Sequence, residues 1–232
     1  MTGFRTFAAP HLVAMALTVL VPAALAWLAR RRGRSTARAI SIGWAAALGA
    51  NELVYWTVRW RELGPGGFLA NHLPLNLCGA AVLMTIATLL WPRQWTYGIL
   101  YFWGLVGAGN AVLTPGALAV DFPEYRFFQY FIAHSGIFGA VLFMTWGLRR
   151  RPGVRDLVRA FVALNALAVV AAVANLLLDA NYLYLCGPPP GTISPFFFAP
   201  WPWYLLFLEF LGAAMFFVVL APFLRTRARS PG

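Results

Sequence analysis

The chain has 232 residues, 61% hydrophobic, 16% aromatic and only 11% charged, with 18 Lys+Arg against 7 Asp+Glu and a formal net charge of +11. A water-soluble domain of this length has no interior large enough for so much apolar surface, so a soluble fold is excluded. Apolar stretches of about twenty residues recur along the chain, which predicts an all-α, polytopic membrane protein folded as one transmembrane domain over residues 1–232.

In chain order the pattern predicts helices over 10–29, 37–60, 72–91, 94–114, 125–148, 156–179 and 201–224, a seven-transmembrane-helix bundle. Residues 10–29 do not read as a cleaved signal peptide, because the run is long and its positive charge follows it. Turn-forming clusters punctuate the spans: ELGPGG at 62–67, WPRQW at 91–95, LTPGA at 113–117 and CGPPPGTISP at 186–195. The basic residues, all arginine, fall in the blocks RRRGR (30–34) with Arg38, RRRPGVRDLVR (149–159) and RTRAR (225–229). Such blocks between apolar spans set topology and do not point to a nucleic-acid partner. With seven spans they share one side, which predicts an outside N-terminus and a cytoplasmic C-terminus.

Ionisable groups inside hydrocarbon cost at least ~2.5–3.5 kcal/mol each at mid-membrane, so each needs a partner, water or a task. A rise of 1.5 Å per residue places His11 and His72 near the outer rim, and Glu52, Cys78, Asn110, His134, Asn175 and Glu209 roughly 5–13 Å below it. Asn76 joins them beside Cys78. Their gathering in the outer half predicts a polar cavity open to the outer leaflet above an apolar inner scaffold. An isolated Asn is more often interhelical glue, and a lone membrane cysteine is more often a small packing residue.

Cys78 is the strong nucleophile within the spans, and His134 lies at nearly the same depth. A histidine beside a thiol can hold it as thiolate, with a third group orienting the imidazole. Glu209, Asn110 and Glu52 are candidates for that third group, and Glu209 has His134 or Arg59 as possible structural partners. Asn71 is expected to cap the third helix, with Pro74 in its first turn and Cys78 about two turns in. Cys78 and Cys186 do not indicate a disulfide framework.

The segments HLPLNLC (72–78), YFWGLVGAGNAVLTP (101–115), FPEYRFFQYFIAHSG (122–136) and NYLYL…PWPWYLLFLE (181–209) resemble the YwaF-like bacterial membrane proteins, relatives of the eukaryotic transmembrane-protein-164 family. The layout is also similar to the androgen-induced fatty-acid-ester hydrolases. The resemblance implies a bacterial cytoplasmic-membrane protein acting on membrane phospholipids or fatty acyl esters. Cys78 and His134 fall where the family's proposed catalytic pair lies, and no cofactor or metal is implied. The expected activity is an intramembrane lipid acyltransferase or ester hydrolase working through an acyl-thioester in the outer leaflet. Two alternatives stand beside it. One is a zinc-dependent hydrolase using His11, His72 and His134, although each histidine lies on a different helix. The other is a non-enzymatic seven-helix ligand-binding or sensor protein.

Overall fold

A computed structural model describes residues 4–115, 120–188 and 197–227, with side chains to residue 224. The elements in order are α1 (Ala9–Arg32), α2 (Arg34–Asn71), α3 (Leu77–Leu90), α4 (Gln94–Phe102), a first π segment (Trp103–Ala108) and α5 (Gly109–Leu113). Then follow α6 (Tyr125–Leu142), a second π segment (Phe143–Gly147), α7 (Val154–Leu178), a 3-10 turn (Tyr182–Tyr184) and α8 (Trp203–Arg227). All regular structure among the described residues is helical.

Four helical stretches are long and apolar enough to cross a membrane: Ala9–Arg32, Tyr125–Gly147, Val154–Leu178 and Trp203–Leu224. Their outward faces carry bare hydrocarbon. Leu176 on α7 is 86% exposed and Phe210 on α8 is 75% exposed, a pattern that suits lipid as solvent and not water. The centre is α4 and the first π segment, where every residue from Thr96 to Gly104 is buried. That rod packs against α3, α6, α7 and α8. Its aromatic side chains find acceptors on these neighbours: Tyr101 O–H donates to the Val219 carbonyl at 2.8 Å, and Trp103 Nε1–H to the Ala160 carbonyl at 3.1 Å.

Two boundaries differ from the sequence expectation, and both matter to the site. The second helix does not end at residue 60. Helix runs past it to Leu63, breaks within ELGPGG at Gly64, whose non-helical backbone (φ 67°, ψ 178°) is open to glycine at little cost, and resumes to Asn71. The third helix begins at Leu77 and not at residue 72. Pro74 disfavours helix at the residue before it, so Leu73–Asn76 forms a turn closed by Leu75 N–H to the Leu73 carbonyl at 2.7 Å. Asn71 therefore does not cap α3. Its amide donates to the Gly67 carbonyl of its own helix at 3.0 Å.

The arginine-rich end is also more polar than the expected apolar scaffold. Buried Asp156 accepts from Gln94 Nε2 at 2.9 Å and from Gly153 N–H at 3.0 Å, and pairs with Arg159 at 3.7 Å. Tyr97 and Thr145 share a hydroxyl hydrogen bond at 2.8 Å. Arg38 donates to the Leu90 carbonyl at 2.6 Å, where a cation completes the acceptors and dipole of the C-terminus of α3.

Candidate functional site

The late start of α3 changes the position of Cys78. It is the second residue of the helix, in the first turn rather than two turns in. The first helical bond of α3 is Ala80 N–H to the Asn76 carbonyl at 3.0 Å, so the preceding amides are those a helix leaves without intrahelical partners. Such amides and their dipole favour negative charge on a nearby thiol or a bound oxyanion. Gly79 is required by the same turn: a Cβ there would stand 3.0 Å from Pro74 Cα. The Cys78 thiol is free and half-buried.

His134 sits on α6, which packs against α3. Its Nδ1 lies 2.8 Å from the Tyr130 carbonyl one turn earlier. A carbonyl only accepts, so in the neutral ring Nδ1 carries the proton and Nε2 keeps its lone pair. The Tyr130 ring covers the imidazole with centroids 4.0 Å apart, and its hydroxyl donates to the Ala111 carbonyl at 3.0 Å. Cys78 lies within electrostatic range of the Tyr130 hydroxyl. Among the described residues no hydrogen bond joins Cys78 directly to His134.

The expected carboxylate or amide behind the imidazole is replaced by this backbone carbonyl. Glu209 accepts from Asn165 Nδ2 at 2.6 Å, tying α8 to α7, and pairs with neither His134 nor Arg59. Asn110 is exposed and accepts from the Thr114 hydroxyl at 3.3 Å through its side chain. Glu52 is 8% exposed and faces Trp56, yet the Trp56 Nε1–H has no partner in hydrogen-bond geometry.

The other polar residues hold a loop over the site. Asn175 accepts from Tyr182 N–H at 2.7 Å and donates to the Tyr182 carbonyl at 3.1 Å. Asn76 accepts from Leu183 N–H at 2.9 Å. Tyr182 O–H donates to the Leu69 carbonyl at 2.7 Å and accepts from Leu73 N–H at 3.0 Å. Burial raises the Tyr182 pKa above its ordinary value, which keeps the donated proton in place. Tyr204 O–H donates to the Tyr184 carbonyl. The end of α2, the start of α3 and the 182–185 turn are thereby clamped into one roof.

The three histidines are not gathered. His11 is buried with both nitrogens in use: Nδ1 accepts from Phe7 N–H at 2.9 Å, so Nε2 donates to the Val112 carbonyl at 2.8 Å. His72 shares a 2.8 Å hydrogen bond with the Tyr55 hydroxyl. Among the described residues no three His, Cys, Asp or Glu side chains are grouped as metal ligands. A groove of about 600 Å³ between α1 and α6 is walled by Leu17, Phe128 and Phe131, and His134 is not in its lining.

Sequence reasoning overlooked Tyr130 and Tyr182, and weighed Arg59 only as a structural partner of Glu209. Tyr130 was findable, because its spacing of four from His134 stacks the two on one helical face. The Arg59 side chain is only 11% exposed, with NH1 2.5 Å from Glu62 and its Nε unpartnered. Its guanidinium stands 5.7 Å from the Tyr55 ring centroid. Asn51 Nδ2 donates to the Gln129 carbonyl at 3.3 Å, so one turn further along both helices Tyr55 approaches Tyr125 and Arg126.

A family model described as the TMEM164 family matches residues 6–220. An uncharacterised protein of Treponema pallidum (strain Nichols) is 31% identical over 156 residues, 66% of this chain and 63% of the relative. The match thus spans less than two thirds of that relative's length. No solved structure matches.

Proposed function

The chain belongs to the TMEM164 family, and from that membership we propose that it is an intramembrane lipid acyltransferase or lipid ester hydrolase using Cys78 and His134. The observation that carries this reading is the His134 tautomer: Nδ1–H is committed to the Tyr130 carbonyl, so Nε2 is free as a base. The position of Cys78 among unpaired amides of the first turn of α3 adds to it.

Nε2 takes the thiol proton, and the sulfur attacks the acyl ester carbonyl of a phospholipid. The tetrahedral intermediate collapses by breaking the ester C–O bond, and the lyso-lipid oxygen leaves with the proton from His134. An incoming alcohol or water then gives its proton to Nε2 and attacks the thioester, and the released thiolate is reprotonated. Amides at the start of α3 are candidates to bind the oxyanion. Arg59 and Arg126 are the cations suited to the substrate phosphate.

In this reading seven helical bodies cross the cytoplasmic membrane of a bacterium as one domain, with the N-terminus outside. The short α3, about 21 Å at 1.5 Å per residue, is completed by the Leu73–Asn76 turn. The roof and the pair face the outer leaflet. The test is turnover of a labelled phospholipid in proteoliposomes. Cys78→Ala should reduce acyl release to background, and His134→Ala should lower it ~10²–10⁴-fold. Unchanged release in folded Cys78→Ala protein would end the proposal.

A further inference from the structure

At the arginine-rich end, the last turns of α1 and the end of the second π segment border a surface-open cavity of about 520 Å³. Its charged lining is Arg30, Arg31 and Arg149, and its aromatic walls are Trp27 and Trp146, with no acidic residue in the lining. The helices touch just beneath it, where a Cβ on Gly147 would stand 3.1 Å from Ala26 Cα.

Several arginines nearby are spent on other groups, and of those that are not, Arg30, Arg31 and Arg149 share one lining. Arg38 serves the C-terminus of α3, Arg150 donates to the Pro92 carbonyl at 2.6 Å, and Arg159 pairs with Asp156. The side chains of Arg30 and Arg149 make no ion pair or hydrogen bond among the described residues; those of Arg32, Arg34 and Arg155 are likewise unpaired but lie outside the lining. Arg31 lies 5.0 Å above the Trp27 ring, a contact that leaves its N–H donors free. Arg149 also holds a φ of 54°, a left-handed conformation that glycine adopts more readily. Three donor-rich cations with no internal acceptor form an anion-binding set.

The surroundings point to a lipid. Trp27 is 58% and Trp146 42% exposed, as aromatics at a membrane–water border are. One to two turns back along α1, Val21 and Leu20 present bare hydrocarbon, Leu20 at 63% exposure. A ligand with a negative head among the arginines and an acyl chain along α1 matches both halves.

We infer that the cavity lined by Arg30, Arg31, Arg149, Trp27 and Trp146 is a binding site for the phosphate headgroup of an anionic phospholipid. It is separate from the Cys78–His134 chemistry and does not rest on it. At about 1 kcal/mol per surface arginine, three arginines give a preference on the order of 100-fold for anionic over zwitterionic lipid, and each single loss costs about fivefold.

Native mass spectrometry of purified protein, with thermal stability in parallel, tests this. Phosphatidylglycerol and phosphatidylcholine of equal chain length are compared, with inorganic phosphate as a third arm. Phosphatidylglycerol should be retained and should raise the melting temperature, and the other two should not. The triple Arg→Gln variant at 30, 31 and 149 should lose the preference. Arg149→Gly, which suits the backbone, should stay folded and lose about fivefold. Arg155→Gln, an exposed arginine outside the cavity, and Cys78→Ala should both keep the preference. Equal retention of phosphatidylcholine, equal stabilisation by phosphate, an undiminished preference in the triple or Arg149→Gly variant, or an equal loss in Arg155→Gln would each overturn the inference.

Discussion

The two ends of the bundle both carry buried polar groups, but they use them differently. Around Asp156 the polar groups answer one another: a carboxylate takes an amide, a backbone N–H and a guanidinium. At the other end the roof over α3 is equally well bonded, yet beneath and beside it several groups are left open. The His134 Nε2, the Cys78 thiol and the first amides of α3 have no described partner, and Trp56 Nε1 and Arg59 Nε are buried and unsatisfied. Buried polar groups are normally paired, and Trp56 Nε1 and Arg59 Nε are the exceptions among the described side chains. In the proposed reading, satisfied polar groups hold the fold and the open ones mark where the chemistry takes place.

The comparison breaks if substitutions at the two ends have the same consequences. The largest effects are expected at the open end, where Cys78→Ala removes turnover and His134→Ala lowers it ~10²–10⁴-fold, both with unchanged melting temperature. Asp156→Ala should do the reverse. Loss of three partners to a buried carboxylate should destabilise by about 2–4 kcal/mol, read by thermal unfolding, with normal turnover per folded molecule. Asn175→Ala leaves the buried Tyr182 amide and carbonyl unpaired. It should cost about 1–3 kcal/mol and raise hydrogen exchange across residues 181–185. Smallest of all, Glu209→Gln keeps an acceptor for Asn165 and should change turnover by less than about twofold. A loss near 100-fold would mean that Glu209 serves His134 after all.

Much of this was legible in the sequence, and the exceptions have physical causes. Twenty-residue hydrophobicity marks helices because lipid offers the backbone no other partner, so the helical bodies appear near their predicted places. Helix ends were harder to read. Proline and glycine both interrupt the chain: ELGPGG breaks α2 at Gly64 before helix resumes, and Pro74 sets a turn before α3. The sequence shows where helix is interrupted but not where it resumes, and the later start puts Cys78 in the first turn of α3. Depth along the span set Cys78 and His134 apart from most arginines, but depth does not reveal direction around a helix. It could not tell that Glu209 faces Asn165, that Asn76 and Asn175 bond a loop, or that His11 spends both nitrogens on backbone. Asp156 escaped notice because its charge lies within an arginine block and reads as solvated.

The most direct measurement is mass spectrometry of the Cys78 peptide after incubation with phospholipid vesicles and rapid quenching. The account predicts an acyl mass on Cys78, none on Cys186, and loss of the adduct in His134→Ala. Active lipid turnover with Cys78 unmodified and replaceable by alanine would contradict it.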